Sequence, residues 1–155
     1  QLGSIITVQT GFPVTVTQSG DPSNTGGQFD RPMATGQTQY LDSPDPQRWY
    51  NPAAFSFTPD GSFGNVGRNT ASGPGIFGWD FSALKNFTMP YSERHSFQFR
   101  FEAFNFLNHP NWGNPDANIN SGPRNATTGL GQNFGRITGT RGNMRNLQLG
   151  LRYSF

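Results

Sequence analysis

The sequence has no cysteine, a single lysine (Lys85) and little charge. The absence of cysteine excludes disulfides, thiolate catalysis and zinc–thiolate sites. Charged residues make up 13% of the 155 positions, the formal net charge is +2, and the arginines are scattered along the chain. Because no run of basic side chains is available to follow a phosphate backbone, we expect no nucleic-acid partner.

Long apolar runs are also missing. No stretch of about 18 apolar residues exists, which excludes a transmembrane helix, whereas a membrane-spanning β-strand needs only about 9 to 11 alternating residues. Hydrophobic residues reach only 32% and mean hydropathy is -0.63, but the chain holds 15 Phe, 20 Gly and 12 Pro. Disordered chains are poor in aromatic residues. The phenylalanines therefore indicate a surface that is buried or faces an apolar phase.

Four segments alternate apolar and polar residues with the period of a β-strand, and they predict strands near residues 3–17, 78–89, 94–106 and 145–155. The last is the clearest, with apolar positions at Leu147, Leu149, Leu151, Tyr153 and Phe155. The polar positions of the last three strands include Asp80, Ser82, Gln98, Arg100, Glu102, Gln148 and Arg152. We interpret these polar side chains as facing a wet lumen and the apolar ones as facing lipid.

The pattern has three irregularities. Gly11 and Pro13 predict that the first strand kinks or leaves the sheet. After Ala103 the alternation changes phase, which predicts a bulge or the end of the regular strand. Lys85 falls on an apolar side near one strand end, where a long side chain can reach an interface.

The connections between the strands differ greatly in length. Only "PYSERH" separates the second and third strands, whereas Gly-, Pro- and Asn-rich loops near 18–77 and 107–144 separate the others. Short periplasmic turns and long extracellular loops are typical of outer-membrane barrels. We predict an all-β fold of antiparallel strands, the last four of a large outer-membrane β-barrel. The alternatives are a soluble β-sandwich and a self-contained secreted β-rich adhesin or binding module.

Four motifs, in order, carry a resemblance: "WYNPAAF" (49–55), "FGNVGRNTASGPGIFGWDFSALKNF" (63–87), "FQFRFEAFNFLNHPNWGNP" (97–115) and "FGRITGTRGNMRNLQLGLRYSF" (134–155). The chain resembles the C-terminal barrel region of TonB-dependent outer-membrane receptors, in particular the Oar-like proteins with a carboxypeptidase-regulatory-like domain. The resemblance implies a barrel of about 22 strands in the bacterial outer membrane. It also implies contacts with lipid, the barrel-assembly machinery, the rest of the barrel and its plug, and with TonB only through an N-terminal part.

The sequence begins at Gln1 with a strand-like run and no initiator methionine, so we expect a piece of a longer protein that lacks its plug and N-terminal domains. The resemblance further implies that the apolar residues ending in Phe155 form the signal that the assembly machinery recognises. A terminal strand with free main-chain groups suits capture by edge pairing. The alternative is an ordinary edge strand that happens to end in phenylalanine.

Four aromatic residues near strand ends, Trp79, Tyr91, Phe106 and Trp112, suit an interfacial girdle.

Candidate chemistry is sparse. Asp80 and Glu102 form a possible carboxylate pair, but the interleaved arginines would hold both ionised. "DANINSG" (116–122) is similar to the start of a calcium loop, but its glycine is one place late and Thr127 stands where the bidentate glutamate belongs, so Asx-turn chemistry explains it better. His95 and His109 lie far apart in the predicted topology. We therefore expect no catalytic residues, no metal site, no cofactor and no enzymatic activity.

Overall fold

The computed structural model of the chain describes residues 1–90 and 92–155, with the backbone alone for 92–94. The chain divides into two compact units. The sheet unit comprises Gln1–Thr10, Gly75–Asn111 and Arg141–Phe155, and the insertion unit comprises Gly11–Pro74 and Trp112–Thr140. In the described part of the chain, no helix has the length and apolar character needed to cross a membrane.

The structure is all-β, with one 3-10 turn at Pro52–Ala54 among its described elements. The strands, in chain order, are β1 (Leu2–Gln9), β2 (Pro13–Val14), β3 (Gln18–Ser19), β4 (Phe29–Asp30), β5 (Met33–Ala34), β6 (Tyr40–Asp45), β7 (Arg48–Tyr50), β8 (Phe55–Ser56), β9 (Ala71–Ser72), β10 (Ile76–Met89), β11 (Ser92–Phe104), β12 (Asn111–Trp112), β13 (Thr140–Arg141) and β14 (Asn146–Ser154).

The sheet unit is a four-stranded sheet in the order β1-β10-β11-β14, and every neighbouring pair is antiparallel. This confirms the predicted all-β, antiparallel fold class. Both long insertions leave the sheet at one end, where Gln9 pairs with Ile76 and Phe104 pairs with Asn146. The short connection between β10 and β11 lies at the opposite end. Strand pairing there reaches Met89 and Ser92, so the connection is shorter than the predicted "PYSERH" turn.

The first strand is shorter than the predicted 3–17. Strand β1 ends at Gln9 because the chain turns into the insertion unit at Gly11. A Cβ at Gly11 would lie 1.8 Å from the Gly73 carbonyl oxygen, so only glycine permits this close backbone approach. The next residues, Pro13–Val14, then pair with β9 in the insertion unit.

Strand β11 begins at Ser92 and ends at Phe104, against the predicted 94–106. It stops where the phase of the alternation changes because Asn105 adopts a left-handed conformation with φ +50°. Asparagine tolerates this conformation better than most residues. The last strand covers Asn146–Ser154, one residue inside each end of the predicted 145–155.

The two segments predicted as loops fold together around a shared hydrophobic core. Two close backbone hydrogen bonds join them, from Thr17 N to the Ala117 carbonyl and from Ile119 N to the Thr17 carbonyl, both 2.9 Å. The core side chains are Val14, Val16, Tyr50, Ala54, Phe55, Val66, Ala71, Ile119, Leu130 and Phe134. The insertions are therefore a folded unit with its own interior, connected by short two-stranded pairs.

Aromatic rings form the centre of this core. Phe134 meets Phe55 edge-on at 5.4 Å between ring centroids and lies 5.7 Å from the ring of Tyr50. Burial, aided by the neighbouring Tyr40, raises the pKa of the Tyr50 phenol far above its ordinary value. The Tyr50 hydroxyl makes no hydrogen bond within the described residues. Tyr50 is thus a neutral packing residue of the insertion unit.

One exposed turn of the insertion unit is organised by a carboxylate. The side chain of Asp21 accepts hydrogen bonds from the backbone N–H groups of Thr25 at 2.9 Å and Gly26 at 2.6 Å. These bonds favour the ionised form and lower the pKa of Asp21. Because the folded-state pKa is depressed, the contribution of Asp21 to stability is present above its ordinary pKa and is lost as pH falls through the lowered value.

Replacement of Gly64 tests how tightly the insertion unit is packed. A Cβ at Gly64 would lie 1.7 Å from the Arg31 carbonyl oxygen, so we expect Gly64→Ala to lower the free energy of unfolding by about 1–3 kcal/mol. Urea unfolding followed by tryptophan fluorescence measures this, because Trp49 of the insertion unit is held by a hydrogen bond from its indole to the Ser72 carbonyl at 3.0 Å. The control is Gly139→Ala, since no atom lies within 4 Å of that Cβ. Equal stabilities for the two variants would contradict the packing.

Candidate functional site

The main chemical feature of the sheet unit is the difference between its two faces. Side chains that are directly opposite in an antiparallel pair lie on the same face. One such row, Leu2–Ala83–Phe101–Leu149, crosses all four strands and is entirely apolar. The other apolar members of this face are Ile6, Val8, Phe77, Trp79, Phe81, Phe87, Phe97, Phe99, Ala103, Leu147, Leu151 and Tyr153.

Much of this apolar face is exposed. Val8 is 76% exposed, Leu149 71% and Leu151 67%. Contiguous exposed apolar patches of more than a few hundred Å² are rare on soluble monomers and mark contact with a membrane or another protein. Spread over all four strands, this face requires an apolar environment rather than water.

Two polar side chains on the apolar face, Ser4 and Lys85, have local partners. The hydroxyl of Ser4 accepts a hydrogen bond from the indole N–H of Trp79 at 2.7 Å. The Nζ atom of Lys85 lies 5.3 Å from the ring centroid of Phe87, within cation–π range. In an apolar medium polar groups need such partners, because no water replaces them.

The opposite face is mainly polar. The register places all seven residues predicted to face a lumen on it: Asp80, Ser82, Gln98, Arg100, Glu102, Gln148 and Arg152. Ser82, Glu102 and Gln148 form one cross-strand row, and Asn86, Gln98 and Arg152 form another. Its large apolar members among the described residues are Ile5, Ile76, Leu84 and Phe104.

Polar contacts connect neighbours along this polar face. The Arg100 guanidinium pairs with the Glu102 carboxylate at 2.6 Å, and Gln98 Nε2 donates to Asn86 Oδ1 at 2.9 Å. Arg100 is 57% exposed, so this ion pair contributes little to stability by itself. The pair places charge of both signs on the polar face.

Asp80 and Glu102, the carboxylate pair considered above, line one cavity of about 210 Å³ together with Ser82. Each carboxylate has a separate partner. Asp80 Oδ1 accepts the backbone N–H of Asn105 at 2.9 Å, while Glu102 binds Arg100. The two carboxylates therefore line one cavity, and Asp80 stabilises the end of β11 through its hydrogen bond with Asn105.

Asn105 is a key residue of the sheet unit that the sequence interpretation missed. Its Oδ1 accepts the backbone N–H of His109 at 3.0 Å, and its Nδ2 donates to the carbonyls of His109 and Asn143, both at 3.2 Å. A single side chain thus joins the two ends of the connection between β11 and β14. The sequence feature that could have identified it is the repeated asparagine in "FNFLNHPNW", because asparagine tolerates positive φ and both Asn105 and Asn108 adopt it.

Asn111 continues the sheet with its side chain. Its Oδ1 accepts the backbone N–H of Phe77 at 2.8 Å, and its Nδ2 donates to the Phe77 carbonyl at 2.9 Å. The amide therefore takes the place of a main-chain partner at the start of β10. This satisfies both backbone groups where regular pairing ends.

The two histidines lie in different surroundings. The ring of His109 meets Phe77 edge-on at 5.7 Å between centroids. His95 Nδ1 lies 2.6 Å from the hydroxyl of Tyr153, and the two rings stack. The described residues contain no group of three potential metal-ligating side chains.

The residues predicted as an assembly signal lie on β14, at one edge of the sheet. Leu147, Leu149, Leu151 and Tyr153 share the apolar face, and Phe155 follows the last strand residue with 92% exposure. Within the described chain β14 pairs only with β11, so its outer edge presents main-chain donors and acceptors.

Two of the predicted interfacial aromatics lie together. Trp79 and Phe106 meet edge-on at 5.3 Å, and the backbone N–H of Phe106 donates to the Trp79 carbonyl at 2.7 Å. Trp112 belongs to the insertion unit. Tyr91, the fourth predicted member, lies outside the described residues.

The "DANINSG" segment is a series of Asx turns. Asp116 Oδ1 accepts the backbone N–H of Asn118, and Asn118 Oδ1 accepts that of Asn120, both at 3.0 Å. The other Asp116 oxygen accepts the Ser121 hydroxyl. These oxygens are used within the segment itself.

Comparison with known proteins gives one family. Residues 1–148 match the family model described as an outer membrane beta barrel domain. No curated protein and no solved structure has significant similarity to the chain.

Substitution of Asp80 tests the contact at the end of β11. Asp80→Ala leaves the Asn105 N–H without its acceptor, so we expect this amide to exchange with deuterium about tenfold faster. Asp80→Asn keeps an acceptor oxygen and should exchange nearly like the parent. Hydrogen exchange read by mass spectrometry on peptides containing Asn105 makes the comparison. An unchanged exchange rate in Asp80→Ala would contradict the assigned role.

Proposed function

Because the chain belongs to the outer membrane beta barrel domain family and is located in the bacterial outer membrane, we propose that it supplies four adjacent wall strands of a TonB-dependent, Oar-like receptor. The observation that carries the proposal is the amphipathic four-stranded sheet, apolar and exposed on one face and polar on the other. In a barrel wall, the first face contacts lipid and the second lines the lumen or touches the plug.

The dimensions of the strands suit this role. A strand crosses the bilayer with about 9 to 11 tilted residues. The two central strands have 14 and 13 residues, and β14 has 9. Apolar area removed from water contributes about 25 cal/mol per Å², so lipid contact along this face favours insertion strongly. The same area would disfavour the alternative of a secreted adhesin in water.

The connections give the proposed orientation. In outer-membrane barrels the short turns are periplasmic and the long connections are extracellular. The β10–β11 connection and the chain end at Phe155 are then periplasmic, and the insertion unit is extracellular. A folded extracellular unit with its own core is suited to present a fixed surface to ligands.

The sheet edges indicate what else the receptor must contain. The described β1 and β14 each have one neighbour, and single-chain barrels have at least about eight strands. We propose that further strands and a plug complete the receptor, that TonB acts through an N-terminal part, and that the barrel-assembly machinery recognises β14. The motif resemblance supports the receptor class. The proposed role needs no catalysis, no cofactor and no nucleic acid.

Two neighbouring residues of β14 provide a direct test of lipid and lumen facing. The chain has no cysteine, so Leu149→Cys and Gln148→Cys each give one labelling site for a nitroxide in outer-membrane vesicles once any cysteine elsewhere in the receptor is replaced. We expect the Leu149 label to be relaxed mainly by oxygen, which dissolves in lipid, and the Gln148 label mainly by a water-soluble nickel chelate. Leu151→Cys and Arg152→Cys form a matched second pair. Equal relaxation by the nickel chelate at Leu149 and Gln148 would contradict a lipid-facing surface.

Removal of the terminal aromatic ring tests the proposed assembly signal. In the full-length receptor, deletion of Phe155 should lower the folded fraction in outer membranes severalfold, because the machinery loses its anchor on the edge strand. The folded fraction is read from heat-modifiable gel mobility.

Phe155→Tyr is the control and should assemble like the parent, since it retains an aromatic ring. Normal assembly after deletion of Phe155 would contradict the proposed assembly signal. The proposed wall function would still be tested separately by the nitroxide labels.

A further inference from the structure

We propose that the insertion unit contains an anion-binding site built from Arg31 and Arg68, which takes a phosphate-type group. The two side chains line one cavity of about 330 Å³ together with Thr15. They come from distant parts of the segment, so only folding brings them together. The site goes beyond the wall function and does not depend on it.

The charges in this cavity are uncompensated. Its lining contains two arginines and no carboxylate. Among the side chains that the structure describes, the ion pair is Arg100–Glu102, which belongs to the sheet unit. Two guanidinium groups that share a cavity repel each other, and a bound anion removes this repulsion.

The backbone around Arg31 is held firmly. Its carbonyl accepts the Thr58 hydroxyl at 2.9 Å, and Gly64 packs so closely against the same carbonyl that no Cβ fits there. The next residue, Pro32, is fully buried, and its carbonyl accepts the Val66 N–H at 3.1 Å. The position from which the Arg31 side chain starts is therefore fixed before a ligand arrives.

The backbone around Arg68 is held by the third lining residue. The Thr15 hydroxyl donates to Asn69 Oδ1 at 2.9 Å and accepts the backbone N–H of Asn69 at 3.0 Å. Asn69 has a left-handed φ of 57°, a conformation that is unfavourable for most residues. The two hydrogen bonds with Thr15 stabilise it. Both arginines are exposed, and the backbone beside each is held by hydrogen bonds.

The chemistry of two arginines selects the class of ligand. A guanidinium offers a planar fork of N–H donors that matches the oxygens of phosphate, and it stays charged at every physiological pH. Two such forks suit a multiply charged phosphate or diphosphate group. Such a group can belong to a soluble molecule or to a lipid headgroup at the membrane surface.

The test titrates inorganic pyrophosphate into the full-length receptor in detergent micelles at low ionic strength, followed by calorimetry. We expect one site per chain, with affinity lowered about tenfold or more in Arg31→Gln and in Arg68→Gln, since each removes charge-assisted hydrogen bonds. Arg31→Lys should bind weakly, because it keeps the charge and loses the fork. Heat-modifiable mobility of each variant establishes that it is folded.

The matched control is Arg48→Gln, which removes an exposed arginine of the same unit that lines a different cavity. Unchanged affinity in this variant supports a local site, whereas an equal loss would overturn the site in favour of a general positive field.

A second titration adds phosphatidylglycerol to the micelles. Competition with pyrophosphate assigns the site to a lipid headgroup, and absence of competition assigns it to a soluble phosphate; both results support the site. If neither probe binds in a manner that depends on Arg31 and Arg68, the proposal is wrong.

Discussion

The antiparallel register between β10 and β11 is the constraint on which the rest of the sheet unit depends. It sets Phe87 against Phe97 and Ala83 against Phe101, so the phenylalanines of both strands share one face. A slip of one residue would move every side chain to the other face and place Arg100 and Glu102 among the leucines of β14. The separation of an apolar surface from a polar one, and with it the membrane function, follows from this single pairing.

The ends of the sheet depend on asparagine and glycine rather than on apolar contact. Asn105 closes β11 with a left-handed backbone and three side-chain hydrogen bonds, and Asn111 pairs with both backbone groups of Phe77. Gly11 and Gly64 permit backbone approaches that any Cβ would block. These residues let a polar, glycine-rich sequence leave a regular sheet and fold into a second unit, and the two asparagines supply hydrogen-bond partners to main-chain groups where the pairing ends.

The two units divide the work expected of an outer-membrane protein. The sheet unit has a continuous apolar face, and its opposite face carries charge of both signs. The insertion unit has an aromatic core around Phe134 and presents polar loops and uncompensated arginines. The amphipathic sheet and the aromatic core thus belong to two separate compact units within one chain.

The sequence by itself determined the fold class and the faces of the long strands, because a period of two is a local property that each segment carries alone. The phase change after Ala103 also marked the end of β11. Tertiary structure alone decided where β1 ends, that both insertions share a core, and that Arg31 and Arg68 line one cavity. These features rest on contacts such as Thr17 with Ala117 and Gly11 with Gly73. Contacts between residues so far apart in the chain produce no periodic pattern in the sequence. Glycine, asparagine and proline predict where the chain turns, but they do not indicate which distant segments come into contact.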